Sequence, residues 1–387
     1  MATGSLSPQP GQRPKLFAQL DRFWLRVTEG LKLSQLWKQF RADARASYRL
    51  YQHDFDAQSP RESRRHNFWH TLQELSWAIL EKLTPARRVL LLLGVLLLVL
   101  PGSGVSFEKA GQIQLVQFDL RFWGGFLLFV LLLLEIADRV VMKRDLEIAR
   151  DIQKWLLPAT PPQIPGLAIA FATRAANTVA GDFYDVFPRP SADGAAGSFL
   201  IAAADVAGKS IPAALLMATF QASLKTLSAT ACSLPELVGG MNRYACSNSQ
   251  EGLRFTTAFL AEYKPGSRSL TYINAGHNAP VLRHASGGVE RLSNGGLPLG
   301  IRADAPYESG DVVLQPGDWL VIFTDGVVEA LNERNEEYGE QRLLNVLQGW
   351  AASSPEELLQ RLVTDVDGFA GATPQHDDIT CVLVKAS

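Results

Sequence analysis

Cysteine is scarce: the 387 residues hold three, Cys232, Cys246 and Cys381. An odd number without close spacing excludes a disulfide framework and a paired-cysteine zinc site, and a reducing, cytosolic setting is the plain reading. No apolar core lies near the start, so no signal peptide is expected. Net charge is also nearly absent, −2 at pH 7, and no nucleic-acid partner is expected. That balance conceals an asymmetry: residues 1–88 carry 15 basic and 8 acidic side chains, which leaves 22 basic and 31 acidic for the rest. A basic leader suits anionic lipid, and an acidic body suits bound cations.

The length exceeds one ordinary domain, and composition divides it. Residues 1–14, rich in Pro, Gly, Ser and Gln, read as a disordered tail. Residues 15–86 read as a basic helical region, with Phe23, Val27 and Leu31, then Leu72, Leu75 and Ile79, at helical spacing. Trp24, Trp37, Trp69 and Trp77 fit either a lipid interface or ordinary packing.

Residues 87–141 are expected to form two transmembrane helices. The apolar run 89–100 extends without charge to Phe107, and a second runs over 122–134 and on to Val141. Both are near the lower limit for crossing roughly 30 Å of hydrocarbon. Lys82, Arg87 and Arg88 precede the first; Arg139, Lys143 and Arg144 follow the second. Lys109 and Arg121 between them are balanced by Glu108 and Asp119. This is a positive-inside pattern for a multi-pass inner-membrane protein with its body in the cytoplasm. Glu135 and Asp138 would then sit at headgroup level. The other reading is a buried helical hairpin in a soluble domain.

Residues 142–158 read as a helical linker, part of a helical pattern over 136–157 stopped by Pro158. Ile148, Ile152 and Trp155 share one face, which suits a homodimer or docking on the same chain's own domain. After a Pro-rich connection, residues 159–387 alternate strands and helices. Residues 199–205, 256–263, 270–276, 318–325 and 379–386 read as strands; 212–226, 234–247, 340–350 and 355–369 read as helices. Strands apolar on both parities are buried on both faces, so two stacked sheets with helices outside are expected.

Four acidic motifs stand at or beside the ends of apolar runs: AGDFYD with Asp182 and Asp185, ADVAGKS with Asp205, FTDGVVEA with Asp325, and HDDIT with Asp377 and Asp378. Carboxylates held still at strand ends suit hard divalent cations, which prefer oxygen ligands. Together with LEIARDIQKWLLP, NAGHNAP and GLPLGI, these motifs resemble the bacterial SpoIIE-type branch of the metal-dependent type 2C (PPM) protein serine/threonine phosphatases, over roughly residues 146–385.

The resemblance implies an α+β fold, a four-layer αββα sandwich, with two Mn²⁺ or Mg²⁺ ions between the sheets and an activated water as nucleophile. It makes Asp205 the bridge between the ions, with the Val206 carbonyl beside it. Asp325 and Asp377 would hold the first ion, and Asp182 would anchor the site through water. Asp378 is a further metal candidate, and Asp185 a weaker one. It also implies a phosphorylated regulatory protein of the anti-anti-sigma type as substrate.

Two positions depart from the family pattern. Ser210 and Ala180 stand where relatives usually carry glycine. The histidine that follows the Asp-Gly pair in eukaryotic relatives is replaced here by Val206 and Ala207, so the leaving-group proton needs another source. His277 is open as general acid or buried turn residue, His376 likewise, and Lys209 as phosphate contact or solvated lysine. Taken singly, Asp182, Asp185 and Asp325 also suit turns. A pseudophosphatase docking module and a small-molecule phosphohydrolase remain the competing functions.

Overall fold

The computed structural model describes residues 80, 83–100, 103–109, 112–118, 120–190, 197–248, 254–349 and 354–387. The expected tail, the first amphipathic helices and the four tryptophans up to Trp77 lie outside the described residues. The chain divides into two compact units, Met1–Ile136 and Ala137–Ser387.

In the first unit, α1 spans Pro85–Val99, opening on a proline whose missing amide costs nothing there. A two-stranded antiparallel hairpin follows, β1 (Ser103–Lys109) and β2 (Gln112–Phe118). Helix α2 then runs unbroken over Leu120–Leu156 and continues into the second unit. Among the described residues no helix is long and apolar enough to cross a membrane. The two expected spans are therefore not shown among these residues. Fifteen residues give α1 roughly 22 Å at the helical rise, against about 30 Å of hydrocarbon. The uncharged stretch up to Phe107 does not lengthen it, because Ser103–Lys109 is strand β1. In α2 the apolar start gives way to Glu135, Asp138, Arg139, Lys143, Arg144 and Asp145 within the same helix. Glu135 pairs with Arg87, Oε2 to Nη1 at 3.3 Å. Large apolar side chains on both helices nevertheless face outward, among them Leu92, Val99, Phe122 and Phe129.

The second unit is a four-layer sandwich. Its strands are β3 (Leu167–Arg174), β4 (Phe183–Arg189), β5 (Ser198–Val206), β6 (Thr256–Lys264), β7 (Ser269–Ala275), β8 (Val281–Arg283), β9 (Val289–Arg291), β10 (Gly295–Gly296), β11 (Gly310–Val313), β12 (Trp319–Phe323) and β13 (Ile379–Ala386). One sheet is ordered β10-β7-β6-β5-β4 with β11 also on β7; the other is β3-β13-β12-β8-β9. Between them lie Tyr184, Ile201, Phe259, Ile322 and Val382. Alternate residues of the same strands face the helices, as a side-chain period of two requires.

Helices α3 (Ser210–Ser228) and α4 (Leu234–Ser247) cover the first sheet through Met217, Leu224, Leu237 and Met241. A short helix α5 (Asp325–Val328) follows β12. Helices α6 (Glu340–Gly349) and α7 (Pro355–Ala370) are the outer layer on the second sheet, with Leu343, Leu358, Leu362 and Val366 buried against it. Each such side chain, fully buried, contributes about 1.5–3 kcal/mol. Ser233 starts α4 with a reciprocal capping box to Glu236, which satisfies two amides that the helix leaves open.

Candidate functional site

Antiparallel pairing decides where the acids go. In β4 and β5, Phe183 pairs with Ala204, so the residue before β4, Asp182, meets Asp205 near the end of β5. In β12 and β13, Phe323 pairs with Cys381, so Asp325 just after β12 meets Asp377 and Asp378 just before β13. Each sheet thus presents its carboxylates at one edge, and side-chain bonds tie the two edges together. Thr324 Oγ1 donates to Asp182 Oδ2 at 2.9 Å and accepts from the Thr380 amide at 3.0 Å. Asp378 accepts the Ala176 amide on Oδ1 at 2.7 Å and the Gly181 amide on Oδ2 at 2.6 Å.

Two glycines permit close packing within each edge. A Cβ on Gly181 would lie 3.1 Å from the Val206 carbonyl and 3.2 Å from Ala213 Cβ; on Gly326 it would fall 2.1 Å from the Asp378 carbonyl. A side chain at Gly326 would therefore push the turn after β12 away from the segment that opens β13, within one sheet.

Crowding of like charge shows in the acids themselves. Burial, then repulsion from Asp325, Asp377 and Asp378, pushes the Asp205 carboxyl up to about 7. Asp182, 1% exposed, is raised well above the carboxylate range by burial and then by Asp205, with hydroxyl bonds from Thr380 and Thr324 opposing. Asp325 is raised by burial and Asp377. Asp378 is raised by burial, with its two backbone amides opposing. Lys209 meets this cluster: its Nζ lies 3.0 Å from Asp377 Oδ2 and donates to the His376 carbonyl at 2.8 Å. A cleft of about 480 Å³ opens beside Asp377 and Lys209, with Arg174, Glu329 and Val366 on its walls. A larger groove, about 1310 Å³ between α6 and α7, holds none of the acids.

The donor chemistry fits a hard divalent cation: carboxylate oxygens from two sheets, with a backbone carbonyl at Val206, and a mutual repulsion that a cation would reverse. Among the described residues, no three acidic, histidine or cysteine side chains lie close enough to grip one ion as they stand.

Asp182, Asp205, Asp325, Asp377 and Asp378 are brought together; Asp185 is not. Its Oδ1 accepts the Val186 amide at 2.7 Å and its Oδ2 pairs with Lys225 at 2.6 Å, which ties β4 to α3. His277 is buried, its Nδ1 3.1 Å from Thr257 Oγ1, and burial pushes it down to about 4. At neutral pH it is an uncharged brace beside Asp205, whose register partner is Thr257.

Thr324, Thr380 and Gln153 escape a search for acids. Both threonines stand inside the motifs FTDG and HDDIT, where a hydroxyl beside a carboxylate is the available signal. Gln153 gives no signal. Buried on α2, it closes on one peptide from both sides: Nε2 donates to the Ala180 carbonyl at 2.6 Å and Oε1 accepts the Ala180 amide at 2.9 Å.

Comparison with known proteins agrees with this arrangement. Residues 195–387 match the family model for stage II sporulation protein E (SpoIIE). The chain is 29% identical over 245 residues to the phosphoserine phosphatase RsbU of Bacillus subtilis (strain 168), covering 63% of this chain and 70% of that protein. It is 26% identical over 276 residues to protein IcfG of Synechocystis sp. (strain ATCC 27184 / PCC 6803 / Kazusa), covering 65% of this chain and 42% of that one. The SiaA PP2C domain of Pseudomonas aeruginosa shares the fold, with a TM-score of 0.56 at 22% identity over 65% of this chain and 99% of that domain. The sandwich, the order of its acidic motifs and these matches support a SpoIIE-type PPM phosphatase domain, to which residues 195–387 are similar.

Proposed function

We propose that this chain is a Mn²⁺- or Mg²⁺-dependent protein serine/threonine phosphatase acting on a phosphorylated regulatory protein. The observation that carries this reading is the convergence of Asp182, Asp205, Asp325 and Asp377 from both sheets on one edge. Asp205 would hold both cations, with the Val206 carbonyl completing the sphere of one; Asp325 and Asp377 would hold the first, and Asp182 would act through water, with Asp378 beside them. When bound, the pair supplies an activated water and neutralises phosphoryl charge. The chain's own part is positional: Thr324 fixes the Asp182 rotamer, Asp378 pins the loop that carries Gly181 and Asp182, and Gly326 lets the turn bearing Asp325 pack against the segment bearing Asp377 and Asp378.

Likeness to a phosphoserine phosphatase supports phosphoserine on a protein as the substrate, and the family resemblance supports an anti-anti-sigma-type partner. Hydrolysis of an aryl phosphate and of a phosphoserine peptide, with Mn²⁺ and then with chelator, tests the reading. A rate unaffected by chelator overturns it.

The quaternary and cellular setting belongs to the same proposal. Ile148 and Ile152 are half exposed and Trp155 is 83% exposed on α2, which supports a homodimer through that face. The outward apolar side chains of α1 and α2, with their basic flanks, support a place at the inner membrane with the catalytic body on the cytoplasmic side. Sedimentation of the full chain, with and without anionic liposomes, checks both. A monomer at micromolar concentration removes the first, and absence from the lipid pellet removes the second.

A further inference from the structure

The loop that leaves Asp205 is bent to deliver a cation. Gly208 has φ +119° and Ser210 φ +63°, so both neighbours of Lys209 have positive φ. For Ser210, a residue with a Cβ, the left-handed region is costly, and it stands where the family resemblance leads one to expect glycine. This backbone carries the Lys209 ammonium across to the other sheet edge, 3.0 Å from Asp377 Oδ2 and 2.8 Å from the His376 carbonyl. Two of its three protons are thereby directed at the segment that opens β13.

Among the described residues, Arg174 pairs with Asp367, Lys225 with Asp185 and Arg189 with Glu262, so none of these three cations pairs with an acid of the cluster.

We infer that Lys209 is an internal counter-ion that lowers the divalent-cation affinity of this site, holding Asp377 until an entering cation takes its place. The inference rests on the divalent-cation reading of the acid cluster. Two effects of the ammonium act in the same direction. Its pairing with Asp377 stabilises the cation-free form, and its positive charge near the ligand oxygens repels an entering dication. Removing the charge therefore tightens binding, whereas a lysine whose ammonium stands clear of the acids would leave cation affinity unchanged.

The test is calorimetric titration of the chelator-stripped full chain with Mn²⁺ and with Mg²⁺, for wild type, Lys209→Met, Lys209→Gln and Lys209→Arg. Both neutral variants are expected to bind about five- to tenfold more tightly, given the partial exposure of the pair, with Lys209→Arg near wild type. Both neutral variants should also melt lower than wild type without cation and show a larger rise in Tm on adding it. Unchanged or weaker binding in both neutral variants overturns the inference. A wild-type chain that takes up no divalent cation overturns it together with the metal reading. Binding without hydrolysis of any phosphoester overturns the phosphatase reading alone.

Discussion

At the scale of single residues, Asp205 is held in a costly state. Burial and three neighbouring carboxylates raise it to about 7 from 3.8, so between these values the folded chain binds more protons than the unfolded one. Stability of the cation-free protein is then greatest below about pH 4 with respect to this group, and declines as pH rises toward 7. Added Mn²⁺ should oppose that decline, because a cation favours the ionised form. Thermal melts of the chelator-stripped chain from pH 5 to pH 8 check this: Tm should fall with pH, and Asp205→Asn should flatten the slope. A Tm that rises over that window in the wild type, without cation, contradicts the electrostatic account. Buried charge elsewhere is matched instead of crowded: Arg189, far from the acids, meets Glu262 at 3.0 Å and the Cys232 carbonyl at 2.6 Å.

At the scale of elements, α2 is the one that joins the rest of the chain to the site. Its Gln153 grips the Ala180 peptide, one residue before Gly181 and two before Asp182, and the Leu156 carbonyl accepts from Gln221 on α3. We hypothesise that a change in the geometry of α2 reaches Asp182 through this amide clamp. Gln153→Ala leaves a buried amide and carbonyl without partners, at about 1–3 kcal/mol, and should slow aryl-phosphate hydrolysis about tenfold by misplacing Asp182. Denaturant unfolding and turnover measured on the same variant check it; a destabilised variant with wild-type turnover removes the clamp from any signalling role.

Elements with a strong pattern are legible in the sequence. Strands β5, β6, β7 and β13 show as apolar runs, and α4 and α7 show as helical stretches over 234–247 and 355–369. Strands β8 to β11 hold two to four residues each, too few to show a period. The charges after Leu134 look like the end of a span, yet helix α2 simply continues, since alternating acidic and basic side chains favour a solvated helix.

At the scale of the whole molecule, the site exists because two antiparallel sheets are stacked with their acid-bearing edges together. Motif order made the carboxylates legible, because each lies next to a strand that the apolar pattern reveals. The bonds between the edges were not, since Thr324, Asp182 and Asp378 are far apart in sequence and meet through packing. Asp185 illustrates the difference: inside the same motif as Asp182, it points to α3 and Lys225.

Four acids, Asp182, Asp205, Asp325 and Asp377, are proposed to form one cation-dependent hydrolytic site from which their neighbour Asp185 is excluded. The most direct measurement is Mn²⁺-dependent hydrolysis of a phosphoserine peptide by Asp182→Asn, Asp205→Asn, Asp325→Asn, Asp377→Asn and Asp185→Asn. Each of the first four should lose about a hundredfold or more in kcat/KM, and Asp185→Asn should remain within a few-fold of wild type. Wild-type hydrolysis by Asp205→Asn, or an equal loss in Asp185→Asn, would contradict it.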